Sequence, residues 1–185
     1  MRLEPVDRPP TLKARIAAWM MKRQLGKVIT PARVIYDRVP RMYDVGFALL
    51  KLQQRGLSLD PTTRFLVTSW IAMQNHCGFC VDIARAGALL EHVDLDKLNA
   101  LPAWRNSPLF DERERAALAF AEEANRSLAV SDETFERARK LFSERELTEI
   151  VILGAVENFY NRLNIPLEIE EDGLCAIQQR RRAHA

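Results

Sequence analysis

Two of the chain's three cysteines stand as a C-x-x-C pair, Cys77 and Cys80, within Asn75-His76-Cys77-Gly78-Phe79-Cys80-Val81-Asp82. Thiols three residues apart meet across one helical turn, so a disulfide between them closes and reopens with little backbone movement. A first cysteine at or just before a helix N-terminus faces unpaired N–H groups and the positive end of the dipole, which favour a thiolate. The thiolate is the form that attacks a disulfide or a peroxide. Other accounts of the same residues stay open. A zinc site needs two more ligands; Cys175, His76 and His92 are available, but no second close-spaced pair exists. Inert core cysteines need no chemistry at all, and neither does a relic turn in a fold used for binding. The redox reading has spacing, core location and helix start in agreement.

The elements that must hold this turn read as helices throughout. Residues 1–10 form an irregular arm. A helix starts at Thr11 and stops at Gly26, with Leu12, Ile16, Trp19 and Met20 as an apolar stripe expected to dock on its own subunit or a neighbour. Thr30-Pro31 caps a short helix to about Arg38, and another runs from Arg41 to Arg55. Asp60-Pro61 opens a segment to about Gln74 that is apolar on most sides, hence buried. The helix from Cys77 to Leu90 carries Cys77, Cys80, Ala84 and Ala88 on one small-residue stripe, with Asp82 and Arg85 pointing elsewhere. A short helix near 94–101 follows. Capping boxes at Asp111/Glu114 and Ser143/Glu146 open two long helices, with a shorter one from Ser131 to about Phe142 between them. In the last of these the stripe Leu147, Val151, Gly154 continues into Asn158 and Asn161, whose amides must be satisfied inside the fold or line a pocket. After Pro166 an acidic and then basic tail reads as solvated. No strand signal rises above this background, so the fold class is all-α.

Composition narrows the function. At 185 residues the chain suits one domain, and 48% apolar content with 7 glycines fits a helical one. The 27 basic and 25 acidic side chains nearly cancel, unlike the one-sided excess of a nucleic-acid binder. Three cysteines make no disulfide framework, and the leftover Cys175 points to a reducing, cytoplasmic compartment. Arg2, Glu4 and Asp7 among Pro5, Pro9 and Pro10 do not form a signal-peptide pattern. The longest uncharged run, residues 65–81, holds Thr68, Ser69, Gln74, Asn75 and His76 and is a poor membrane span. A soluble protein is expected, without membrane or nucleic-acid partners. No Gly-rich phosphate loop or ligand cluster calls for a metal, flavin or nicotinamide.

The segment NHCGFCVDIARAGA resembles the active-site turn of the AhpD-like, carboxymuconolactone decarboxylase superfamily. WRNSPLFDERERAALAFAEEA and FSERELTEIVILGAVENFYNRLN resemble its downstream helices in the alkylhydroperoxidase branch. Together they make residues 60–165 an AhpD-like core, with 1–59 an N-terminal arm and flanking helices and 166–185 a C-terminal tail on the same domain. The resemblance implies an all-helical bundle that assembles as a homo-oligomer, commonly a trimer or a hexamer of dimers. It also implies that Cys80 attacks a small hydroperoxide to become a sulfenic acid. Cys77 then protonates the leaving group and closes the disulfide, and a dithiol or thioredoxin-like protein restores the thiols.

The sequence departs from that pattern at two places. The family's histidine four residues after the second cysteine falls on Ala84, and its glutamate twelve residues before the first falls on Phe65. A free thiol is only a few per cent ionised at neutral pH, and general-base help is worth roughly 10²–10⁴-fold. Thiol chemistry is therefore expected to survive with slower peroxidase turnover. His76 is the imidazole beside the pair and a candidate third catalytic residue, or simply a turn residue bonded to backbone. Glu157 is another candidate base, although nothing in the sequence brings it to sulfur. Lactone decarboxylation, the superfamily's other activity, generally goes without the cysteine pair. A non-catalytic helical binding or assembly protein with a decayed site is the alternative from outside enzymology.

Overall fold

The computed structural model describes residues 1–183, and every regular element in that range is helical. The order is α1 (Leu12–Leu25), a π-helical turn (Ala32–Tyr36), α2 (Met42–Arg55), α3 (Pro61–Gln74), α4 (Gly78–Leu90), α5 (Leu95–Ala100), α6 (Glu112–Ser127), α7 (Asp132–Arg139), α8 (Glu144–Asn164) and α9 (Leu174–Ala183). Short 3-10 turns follow α5 and α8. Side chains placed by the sequence fix the starts. Thr11, Asp60 and Ser131 accept from the third residue beyond, and both expected capping boxes close, Asp111 with Glu114 and Ser143 with Glu146. Each such cap stabilises by about 1 kcal/mol.

The all-round apolar character of α3 explains its central position, packed against α4, α6 and α8. Val67 and Ile71 face Phe120, Ile150 and Leu153 on one side, and Leu66 meets Trp104 and Leu118 on another. Behind α3, the α2–α3 loop is fastened by Glu149 of α8. Its carboxylate accepts from the Ser58 amide at 2.8 Å, the Leu59 amide at 2.9 Å and the Ser58 hydroxyl at 2.9 Å. Two neighbouring amides that would otherwise be left unpaired are satisfied by one side chain.

Two regions differ from the sequence reading, and in a third, α1, the expected docking of the apolar stripe does not take place on its own subunit. In α1 the stripe Leu12, Ile16, Trp19 and Met20 stays exposed, between 45% and 71%. The alanines Ala14 and Ala17 face the chain's own Tyr43 instead, because only small side chains let the two helices approach this closely. In α8 Val151 is exposed at 51%, and the buried line runs Ile150, Leu153, Glu157, Asn161, Asn164. At 3.6 residues per turn these five share a face and Val151 does not.

The tail is not solvated up to Ala183; residues 184–185 lie outside the described residues. Leu174 and Gln178 are buried, and α9 packs along α4. The cause is Asp82, on the side of α4 away from the sulfurs. Its carboxylate accepts from the amides of Asp172 at 3.0 Å, Leu174 at 2.8 Å and Cys175 at 2.9 Å, capping α9 from another helix. Asp172 in turn accepts from Thr30 N and Lys27 Nζ, both at 2.6 Å, tying the tail to the chain's beginning.

Two expectations follow. Asp82→Ala leaves three amides unpaired, so unfolding free energy in urea should fall by roughly 1–3 kcal/mol, and trypsin should cut at Arg180–Arg182 faster; an unchanged cleavage rate would show that other contacts hold α9. For Glu149, burial pushes the carboxyl up, but Arg145, the Ser58 and Leu59 amides and the Ser58 hydroxyl outweigh it and bring it down to about 2. A carboxyl lowered by folding stabilises above its unfolded value of about 4.3 and loses that contribution as pH falls towards 2. Urea titrations across that window should lose their slope against pH in Glu149→Gln.

Candidate active site

The turn that joins α3 to α4 is built by one left-handed residue. α3 ends at Gln74, and the Asn75 backbone N–H closes it by donating a hydrogen bond to Ile71 O at 3.0 Å. His76 takes φ 57°, and the chain doubles back so that Cys77 N bonds Ala72 O at 2.9 Å. Cys77 thereby becomes the N-cap of α4, and Cys80 lies in its first turn, where free N–H groups and the dipole favour negative charge. The Cys77 and Cys80 sulfurs are bonded to each other, with their Cα atoms 5.3 Å apart. Both side chains point into the fold, 1% and 3% exposed, among Val34, Phe79, Ile169 and Leu174. The outer side of the turn is open: Gly78 is exposed, and a Cβ there would meet nothing within 4 Å.

The polar contacts to sulfur come from α8 and reach Cys80. Asn161 Nδ2 donates to Cys80 Sγ at 3.1 Å and Asn164 Nδ2 at 3.5 Å. The Asn161 amide is spoken for on every side. Its second N–H goes to Glu157 Oε1 at 2.6 Å, and its oxygen accepts from Asn75 Nδ2 at 2.7 Å. Asn75 also shares bonds with Asn125 of α6 and Asn158 of α8. A chain of amides from three helices thus fixes which way the donor faces. Donors held on one sulfur stabilise charge there and lower its proton affinity.

Glu157 is 7% exposed, and burial pushes its carboxyl up to about 7 against the opposing bond from Asn161. Tyr160 beside it is pushed far up by burial, with the Tyr36 and Glu157 charges adding to that. Positions 65 and 84 carry no polar group: Phe65 lies against Gly87 of α4, and Ala84 is an alanine.

Of the residues singled out by sequence, Cys77, Cys80, Asn158, Asn161 and Glu157 come together. His76 adjoins them in the chain, but its side chain is exposed, and no described hydrogen bond joins its ring to a sulfur. It is the turn's left-handed residue. His92 lies at the far end of α4 against Arg182. Cys175 is half-buried in the first turn of α9, where burial and the Asp82 charge push its thiol up while Arg85 opposes them. Among the described residues no group of three or more His, Cys, Asp or Glu gathers to hold a metal. Sequence reading missed Asn164 and Asn75. The first continues the Asn158–Asn161 spacing by one more turn; the second stands inside the quoted cysteine segment but signals only a turn.

With this geometry in view, the chain can be set beside known proteins. The model of the Carboxymuconolactone decarboxylase family matches residues 40–123. The uncharacterized protein YnjA of Escherichia coli (strain K12) is 35% identical over 183 residues, 98% of this chain and 100% of that one. Among solved structures, a protein of unknown function from Agrobacterium tumefaciens, proposed as an antioxidant defence protein AhpD, superposes with TM-score 0.69 at 25% identity. That match covers 75% of this chain and 97% of the other. A variant of the debrominase Bmp8 solved with 2,3,4-tribromopyrrole superposes with TM-score 0.81 at 20% identity, over 98% of this chain and 97% of the other, a likeness of fold. A helical core around a bonded cysteine turn, with a full-length relative and the family's own pattern across residues 40–123, decides the matter: the chain belongs to the carboxymuconolactone decarboxylase superfamily and has its AhpD-like fold.

Proposed function

We propose that the protein is a thiol-dependent reductase of small hydroperoxides, with Cys80 as the attacking sulfur and Cys77 as the resolving one. The observation that carries this reading is the asymmetry of the donors: Asn161 and Asn164 both reach Cys80. Negative charge is therefore favoured on that sulfur, in addition to its place in the first turn of α4. The Cys80 thiolate attacks the distal peroxide oxygen, the O–O bond breaks, and the alkoxide leaves as alcohol after taking a proton. The Cys77 thiol then displaces water from the sulfenic acid and the disulfide closes. Overall, two thiols and one hydroperoxide give one disulfide, one alcohol and one water.

Restoring the thiols requires an external dithiol, small or on a thioredoxin-like protein, and the open side over Gly78 suits its approach. The uncovered α1 stripe suits a second copy of the chain as neighbour. Retention of both sulfurs in one bonded pair favours redox chemistry over lactone decarboxylation. The fold shared with a debrominase supports one further substrate: the same dithiol could reduce a bromopyrrole, giving disulfide, hydrogen bromide and the debrominated ring.

The test is a thiol count on reduced protein before and after cumene hydroperoxide, with tribromopyrrole in a parallel arm. Loss of two thiols per chain, abolished in Cys80→Ser, is expected with the hydroperoxide; an unchanged count would defeat the reading, and loss with tribromopyrrole alone would move the assignment to dehalogenation. Asn161→Ala removes the nearer donor, so the Cys80 thiol pKa should rise by about one unit, seen as slower iodoacetamide alkylation at pH 7. Equal alkylation rates would separate the amide from the sulfur's reactivity.

A further inference from the structure

The mechanism above leaves one buried ionisable group unused. Glu157 is enclosed, makes its bond to Asn161, and pairs with none of the described cations. A carboxyl group this deeply buried without a cation partner is costly as an anion and favours the protonated form. Among the described residues its one hydrogen-bond partner is the amide that also holds Cys80, so the carboxyl oxygen and the sulfur lie no more than two hydrogen bonds apart. The titratable groups around it are Tyr160 on its own helix, Tyr36 close enough for its charge to act on Tyr160, and across at the start of α4 Cys80 with Cys77 bonded to it. Both tyrosines are held neutral, since burial raises each. The acid and the Cys80 thiol, with Cys77 beside it, are left in one dry compartment, and of the two sulfurs it is Cys80 that shares the Asn161 amide with Glu157.

We propose that Glu157 is the acid–base partner of Cys80: the two share one proton as a coupled pair, both held in place by the Asn161 amide, and Glu157 gives that proton to the oxygen leaving the attacked peroxide. Two anions this close in a dry site oppose each other, so the thiolate is favoured when Glu157 is a carboxylic acid. After reduction of the disulfide, the Cys80 thiol and the Glu157 carboxylate exchange a proton, giving thiolate and carboxylic acid. On attack the new S–O bond forms, the O–O bond breaks, and the alkoxide leaves as alcohol with the Glu157 proton. The carboxylate is then ready for the next thiol. A carboxyl from α8 thereby does the work for which this chain has no polar side chain at positions 65 and 84. The delivery step rests on the hydroperoxide reading; the shared proton does not.

The test uses full-length protein in a Cys77→Ser, Cys175→Ser background, where Cys80 is the one thiol. Thiolate is followed by its near-ultraviolet absorbance against pH. In this background ionisation should spread over two coupled steps, and Glu157→Gln should collapse it to a single step about one to two units lower. Glu157→Asp, which keeps a carboxyl, should return the curve towards the parent, as a purely structural role would not. With Cys77 and Cys80 both present, Glu157→Gln should lower the cumene hydroperoxide rate about a hundredfold despite its larger thiolate fraction. An unmoved titration curve, or a rate that rises with the thiolate, overturns the proposal. Should Glu157→Gln not fold, difference infrared on the unaltered protein at pH 7 decides: reducing the disulfide should strengthen the protonated-carboxyl band, and no change overturns the shared proton. If the unaltered protein consumes no hydroperoxide, the functional reading fails, while the titration still decides whether the proton is shared.

Discussion

The Asn161 side chain is the constraint on which the site depends. A buried amide with two donors and one acceptor occupied has a single orientation. Asn75 sets it from the α3–α4 turn, Glu157 from one helical turn earlier in α8, and the sulfur from α4. Each of those elements is fixed elsewhere: α3 by apolar contacts on all sides, α8 by its capping box, α4 by the left-handed step at His76. The local geometry of a thiol is thus referred to the whole helical bundle. Moving any one of the three helices leaves a buried polar group unmatched, which is more costly than the bond itself is favourable.

Placement of the polar groups on α8 rather than on α3 and α4 has a packing cause. A Cβ on Gly87 would come within 3.0 Å of Phe65, so the two helices touch closely through an aromatic edge and a glycine. A charged side chain at position 65 would have to be buried in that contact or turned out of it. The α8 side, by contrast, carries Glu157, Asn158, Asn161 and Asn164, with Asn75 at the end of α3 and Asn125 on α6 as partners. Polar groups concentrate where partners exist, since each then satisfies another.

Much of the fold was legible because it is written in local rules. Proline after Asp60, serine before Glu144 and glycine at 26 set helix ends through contacts within a few residues, and these signals hold whatever surrounds them. The cysteine pair was legible for the same reason. What the sequence did not disclose depends on partners far apart in the chain. Asp82 reads as a surface acid on α4 until α9 arrives ninety residues later to be capped by it. Glu157 reads as a candidate base with nothing to tie it to sulfur until the α3–α4 turn brings Cys80 to the same amide. Val151 misled because a stripe read at three- and four-residue steps has two continuations, and only packing chooses between them.

The carboxylate that starts α9 belongs to the sulfur-bearing helix, and the far end of α9 reaches back to the beginning of the chain: Gln178 and Arg181 donate to the last carbonyls of α1, at Gln24 and Leu25. Synthesis runs from the N-terminus, so α1 and α4 are made long before the residues that clasp them. While the chain is still being extended, the apolar pocket around Leu174 has no occupant and the sulfurs lack their cover. The cover that Leu174 gives the sulfurs is therefore the last side of their apolar cluster to be completed, while the side over Gly78 stays open.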